Sequence, residues 1–248
     1  MEKQPLLNTY VNNVSMSEAI QEIEKLIVQK KKSYIVPINV DVVVKIENDS
    51  MLKEIVNQAD MVLVDGKPLV WISKLLKKPV KEKISGSDLV PVLCETAERK
   101  GYSLFLLGGK EGIAEQAKQN LLVKYPNIRI SGTYAPFLGF EKNEEELTKI
   151  NNLLNNAQAD ILIVCLGCPK QEKWVYENYQ KYDIRVSICA GATVDFLAEN
   201  VKRAPKWMSN AGLEWFYRFM QEPKRMFRRY FVDDIQILKL IFKYRNNK

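Results

Sequence analysis

Apolar positions along the chain follow a helical spacing in some stretches and form short unbroken runs in others. Ser15-Met-Ser-Glu18 has the form of a capping box, and Ala19, Ile20, Ile23, Leu26 and Ile27 give one helix face before the lysines at 30–32. The run 34–38 predicts a buried strand, 42–58 a helix, and 61–64 a second strand that ends at Asp65-Gly66. Gly66 allows a tight turn. Pro68 suits the first turn of a helix over 68–78, with Leu69, Ile72, Leu75 and Leu76 facing inward. Gly86-Ser-Asp88 opens the next helix, with Ser87 as cap and Gly101 as stop.

The middle of the chain reads as a βαβ unit: strand 103–107, glycine turn 108–112, helix 113–125, strand 128–131. A loop of Gly, Pro and aromatic residues at 132–140 leads to a helix over 143–156, whose early glutamates suit its dipole. Strands at 160–167 and 185–190 follow. Cys168-Pro169 turns the first into a helix starting at Lys170, and Gly191-Ala-Thr-Val-Asp195 turns the second. This alternation predicts an α/β fold, a Rossmann-like, mostly parallel sheet flanked by helices. Such sheets bind ligands beyond the carboxyl ends of their strands. Asn39, Asp65, Gly108 with Gly109, Gly167 with Gln171, and Gly191 with Asp195 all fall there and are predicted to meet on one rim.

Charge divides the chain differently. Of 248 residues with a net charge of +7, the stretch 201–248 holds twelve Lys and Arg against four Asp and Glu, leaving the first 200 at −1. We read 1–200 as an α/β catalytic domain and 201–248 as a basic helical appendage. On a helix beginning near Pro223, Phe227, Phe231, Ile235 and Leu238 share one face while Arg225, Arg228 and Arg229 spread over the others. This is the pattern of an interfacial amphipathic element directed at an anionic membrane surface, although a packed helix with a solvated basic side has it too. No nucleic-acid module accompanies it, so nucleic acid is not an expected partner.

Four cysteines in a chain of this length do not suggest a disulfide framework, which points to a reducing, cytoplasmic setting. The N-terminal residues lack the apolar core of a signal peptide, and no apolar run approaches the ~20 residues of a membrane span. Cys165 and Cys168 have redox spacing, but Cys165 continues a buried run and no histidine exists to complete a zinc site.

Without histidine, a general base working near neutral pH must be a carboxylate, lysine, tyrosine or cysteine. Asp65, at a strand's carboxyl end, is the candidate; the same position also suits a residue that only caps the next helix. Gly108-Gly109-Lys110 opens a helix where backbone N–H groups can approach a phosphate, or where a tight turn simply needs close packing. Its spacing is not the dinucleotide fingerprint Gly-x-Gly-x-x-Gly. The chain also lacks Asp-x-Asp, a spacing that often holds a metal ion.

Several segments together resemble the WecG/TagA/CpsF family of bacterial glycosyltransferases, known as glycosyltransferase family 26. They are Asn39-Val-Asp41, Val64-Asp-Gly66, Gly86-Ser-Asp88, Leu107-Gly-Gly109, Leu166-Gly-Cys-Pro-Lys-Gln-Glu172, Gly191-Ala-Thr-Val-Asp-Phe-Leu-Ala198, Arg203-Ala-Pro205 and Gly212-Leu-Glu-Trp-Phe-Tyr-Arg218. The resemblance implies an inverting, metal-independent and cofactor-free transfer from a UDP-sugar to a polyprenyl-diphosphate-linked saccharide at the inner face of the cell membrane. The sugar it implies is N-acetylmannosamine or a hexose such as glucose. It places the catalytic base on Asp65 and the Pro-Lys-Gln-Glu glutamine on Gln171, with Asn39 beside them. Arg218, Arg225 and Arg228 of the appendage would face the diphosphate, along with Gly108, Gly109, Lys110, Gly167, Gly191 and Asp195. Self-association is also implied. The chain departs from N-acetylmannosaminyl members at Pro37-Ile-Asn39, where they tend to have Thr-Pro-Asn, and at Lys67-Pro68.

Two other classes fit parts of the pattern. A nicotinamide-dependent oxidoreductase would share the sheet but should keep the glycine fingerprint and an acidic residue about 20 positions later. A non-enzymatic basic membrane-binding module would leave Asp65 without a role.

Overall fold

The computed structural model describes residues 2–245, apart from the side chains of Lys206, Asn210 and Arg225. Five apolar runs become fully buried strands: β3 (Ser33–Ile38), β4 (Met61–Val64), β5 (Ser103–Gly108), β7 (Ile161–Cys165) and β8 (Val186–Cys189). A sixth, β6 (Arg129–Tyr134), is half-exposed and polar. They form one parallel sheet in the order β4-β3-β8-β7-β5-β6. Burial on both faces explains why β3, β4, β5, β7 and β8 are continuous apolar runs, while β6, half-exposed, mixes polar residues into its run. Because side chains alternate along a strand, Tyr34, Val36, Ile38, Leu162 and Val164 point to one core, and Ile35, Leu104, Ile161, Ile163 and Ile188 to the other.

Helices close both faces. α2 (Val40–Asn48), α3 (Ser50–Gln58), α7 (Glu144–Ala157) and α8 (Lys170–Asn178) supply the first core; α1 (Met16–Val28), α5 (Gly86–Lys100), α6 (Ile113–Lys124) and the short α9 (Thr193–Leu197) supply the second. The capping box of α1 forms as the sequence predicts. The helix expected at 42–58 is instead two. Asp49 ends α2 and caps α3, its carboxylate accepting the N–H of Leu52 at 2.9 Å, a local bond that competes with helix continuation. The cap of α5 is Ser85 and not Ser87, since the Ser85 hydroxyl accepts the Asp88 N–H and Gly86 is already helical. α4 (Lys67–Leu75) buries Leu69 and Ile72 but leaves Leu75 68% exposed.

An antiparallel hairpin, β1 (Lys3–Leu6) and β2 (Thr9–Asn12), has no counterpart among the sequence expectations. It lies against the outer edge of β4, where the Asn12 side-chain oxygen accepts the Val62 N–H at 2.7 Å and so covers an otherwise open edge.

Beyond residue 200 the chain is short helices: α10 (Lys206–Asn210), α11 (Glu214–Gln221), α12 (Pro223–Arg228) and α13 (Ile237–Tyr244). The helix expected from Pro223 continues in right-handed backbone to Tyr244, winding more widely at Arg229–Asp233 and more tightly at Asp234–Gln236 between α12 and α13. α13 packs on α2 through buried Ile237 and Leu240, with Lys243 and Tyr244 both bonded to Glu47.

Candidate active site

With all six strands of this sheet parallel, their carboxyl ends share one rim, and connectivity alone brings Asn39, Asp65, Gly108, Gly109, Gly167 and Gly191 to it. What each does there differs. Asn39 caps α2, its side-chain oxygen accepting the Val42 N–H at 3.1 Å. At Gly108 β5 approaches β7 so closely that a Cβ would collide with the Cys165 carbonyl, and its φ is +117°. The Gly109 N–H donates to that same carbonyl at 3.1 Å and is not free for a ligand. Lys110 beside them is exposed and its ammonium has no partner among the described residues.

Gln171 is buried in the first turn of α8. Its oxygen accepts the Gly191 N–H at 3.1 Å and its amide donates to Glu172 at 2.8 Å, so it ties the turn after β8 to the helix after β7. Glu172 is fully buried, and burial pushes its carboxyl above the usual range. The Gly167 carbonyl accepts the Gln171 N–H, and Asp195 bonds the Asn200 side chain at 3.0 Å. Cys165 and Cys168 are free thiols raised by burial, Cys165 to about 12, which leaves them little nucleophilic character.

Asp65 stands apart. Its backbone N–H extends the β3–β4 ladder by donating to Ile38, but its carboxylate accepts no hydrogen bond from the described residues. Desolvation raises its pKa most; Arg218 and Lys83 pull it down, and Asp88 and Glu214 push it up again, with the balance above the ordinary carboxylate value. The C-terminal segment therefore reaches the first half of the chain here. Arg218 on α11 stacks over Phe196 of α9, 5.3 Å from the ring centroid, and Arg203 lies 5.9 Å from the same ring.

Around Asp65 runs a network that the sequence alone did not single out. Lys83 binds Asp88 at 2.7 Å and Glu214 at 3.6 Å; Arg203 binds Asp88 at 2.7 Å and the Ser87 carbonyl at 3.0 Å; the Ser85 hydroxyl donates to Asp88 at 2.6 Å. Burial alone would raise Asp88, but the hydrogen bonds from Lys83, Ser85 and Arg203 outweigh it and hold the carboxyl at about 2. Asp88, Arg203 and Glu214 each sit inside a segment that carried the family resemblance, which was the available signal. Lys83 lies in a lysine-rich stretch with the pattern of a solvated face.

Arg228 is exposed, with no partner among the described residues; the side chain of Arg225 lies outside them. Next to Arg228 in sequence, Arg229 approaches Asp41 at 3.7 Å and Asp234 at 3.8 Å, while Lys45 binds Asp41 at 2.8 Å. This second cluster fixes the turn after α12 onto α2, close behind Asn39.

The site combines a desolvated carboxylate, unbonded among the described residues, with guanidinium and ammonium groups brought from the C-terminal segment and the loop before α5. That arrangement can take a proton from a hydroxyl and offset growing negative charge on a leaving group. Two relatives share most of the chain with it. One, from Bacillus subtilis, is 30% identical over 217 residues, covering 87% of this chain and 82% of its own length. Another, from Bacillus spizizenii, is 28% identical over 197 residues, covering 79% and 74%. Both are named N-acetylglucosaminyldiphosphoundecaprenol N-acetyl-beta-D-mannosaminyltransferase. The profile of the "Glycosyl transferase WecG/TagA/CpsF family" matches residues 4–248, so the chain belongs to that family of glycosyltransferases.

Proposed function

We propose that this enzyme transfers a sugar, N-acetylmannosamine or a hexose such as glucose, from a UDP-sugar to a polyprenyl-diphosphate-linked saccharide, with inversion and without a metal. The observation that carries the reading is the Asp65 carboxylate, desolvated, without a hydrogen bond from the described residues and flanked by Arg218 and Lys83. Asp65 deprotonates the acceptor hydroxyl as it attacks the anomeric carbon, and desolvation, by raising its pKa, makes it a stronger base than an exposed carboxylate. Arg218, with Lys110 and Arg228 as further cations, meets the charge that grows on UDP as the glycosidic bond breaks; guanidinium matches phosphate oxygens in pairs. Gln171 keeps the Gly191 turn in place. The activity in the relatives' names favours N-acetylmannosamine as donor sugar and N-acetylglucosamine on the acceptor lipid.

A lipid-linked acceptor also accounts for the exposed apolar surface of the C-terminal segment. Phe227, Phe231, Val232, Ile235 and Leu238 are each about half or more exposed, and the segment is strongly basic. No helix among the described residues is long and apolar enough to cross a membrane. In this reading the appendage 201–248 lies on the inner membrane face over the catalytic domain 1–200.

The test is UDP release from a panel of UDP-sugars with a synthetic N-acetylglucosaminyl-diphosphate-lipid acceptor. Acceptor-dependent release that Asp65→Asn lowers by about 100-fold or more is the expected result. Release untouched by the substitution would remove Asp65 as base; none from any donor would overturn the assigned reaction.

A further inference from the structure

We propose that Asp88 is a positioning residue that anchors the C-terminal segment to the rim and so holds the guanidinium of Arg218 beside Asp65. The proposal rests on the reading of the site given above, and it is carried by a chain of contacts. Asp88, in the first turn of α5, receives three side-chain hydrogen bonds, from Ser85, Lys83 and Arg203. The first belongs to its own helix cap and keeps the carboxylate from rotating away. The third comes from just beyond residue 200, where the chain leaves the sheet and begins its run of short helices. Lys83, only 11% exposed, spans from Asp88 to Glu214 on α11. Glu214 also accepts the Ser209 hydroxyl of α10.

Glu214 and Arg218 are one helical turn apart and lie on the same face of α11, so a group that fixes the first orients the second. α11 has no buried residue of its own, and its fit to the rim depends on these polar contacts and on Arg218 stacking over Phe196. Asp88 is thus a carboxylate that touches both the entry to the segment, through Arg203, and the support of α11, through Lys83. Because Lys83 also faces Asp65, loss of Asp88 would free that ammonium to swing toward the Asp65 carboxylate.

The test needs two readouts on the full chain. Hydrogen exchange without donor or acceptor compares native protein with Asp88→Asn, which keeps the shape and the helix cap but removes the charge. Expected is a rise of roughly tenfold in exchange at 203–221, with the sheet strands unchanged. Unchanged exchange there, or a rise spread evenly over the whole chain, overturns the anchor.

Transfer kinetics then ask whether Asp88 works through Arg218. In the native background Asp88→Asn should lower kcat about tenfold, but in an Arg218→Lys background by less than about twofold, because two groups acting as a unit do not add. Equal losses in both backgrounds would reduce Asp88 to a general structural role. Exchange is read without substrates, so its outcome stands even if no UDP-sugar is turned over, a failure that would count against the proposed reaction instead.

Discussion

Single residues at this rim do one of two jobs, and geometry separates them. Gly108 is a packing residue: alanine there collides with the Cys165 carbonyl at a φ of +117°. Overpacking of this kind costs about 1–3 kcal/mol, and the unfavourable φ adds to it. Gly167, with a φ of +80° but nothing within 4 Å of where a Cβ would stand, should lose only the conformational part, about 1–2 kcal/mol, on the same change. Urea midpoints should fall further for Gly108→Ala than for Gly167→Ala. Asp234 gives a pH signature. Burial first, against the pull of Arg229, raises its carboxyl from 3.8 to about 6. The folded protein then holds this proton more tightly than the unfolded chain, so stability is greatest below the unfolded value and falls as pH rises from about 4 to 6. Asp65 and Glu172, also raised by burial, slope the same way. Asp234→Asn should therefore flatten, but not abolish, the decline of the urea midpoint across that window.

Among elements, the decisive relation is between turns and not between helices. The turn after β7 and the turn after β8 are joined by one side chain, Gln171, which accepts the Gly191 N–H and donates to one oxygen, Oε1, of the buried Glu172 carboxyl. Gln171→Leu keeps roughly the same volume and leaves both polar groups without that partner. The expected cost is about 1–3 kcal/mol in denaturant unfolding, since an unsatisfied buried group loses its full hydration. The cap of α5 has a similar double use: Ser85 fixes the helix start and also steadies Asp88 at the rim. A cap at Ser87, as the sequence suggested, would make Asp88 the first helical residue and leave its N–H without the Ser85 hydroxyl.

At the scale of the whole molecule, the charge asymmetry and the exposed aromatic surface belong to the same segment. Phe227 and Phe231 stay together across the wider turn after α12, their rings 5.2 Å apart, on the exposed side, while Ile237 and Leu240 turn inward onto α2. Such a surface should partition into an anionic bilayer with its arginines among the headgroups. Replacing Phe227, Phe231 and Leu238 together by serine removes exposed apolar area without touching the core. Co-sedimentation with vesicles containing anionic lipid should then fall about tenfold or more, while the thermal midpoint stays near that of the native chain. Equal co-sedimentation of the two would mean that the segment faces something other than lipid.

Much of this was legible in the residues themselves. Unbroken apolar runs bounded by glycine turns, alternating with helix-spaced stretches, specify a parallel α/β sheet, and parallel strands put Asn39, Asp65, Gly108 and Gly191 on one rim without further information. The family segments likewise marked Asp65 and Arg218. Local patterns hold only what residues a few positions apart can do to one another. They could not give the β1–β2 hairpin, whose short strands are set by the open edge of β4, nor the split of 42–58, decided by one aspartate bonding its own backbone neighbour. Nor could they show that the Gly109 N–H is already used by Cys165. The surroundings of Asp65 were hidden for the same reason. Asp65, Lys83 with Asp88, and Glu214 with Arg218 come from three separate stretches of chain, and their charges act on one another only after the last helices have folded back over the first strands.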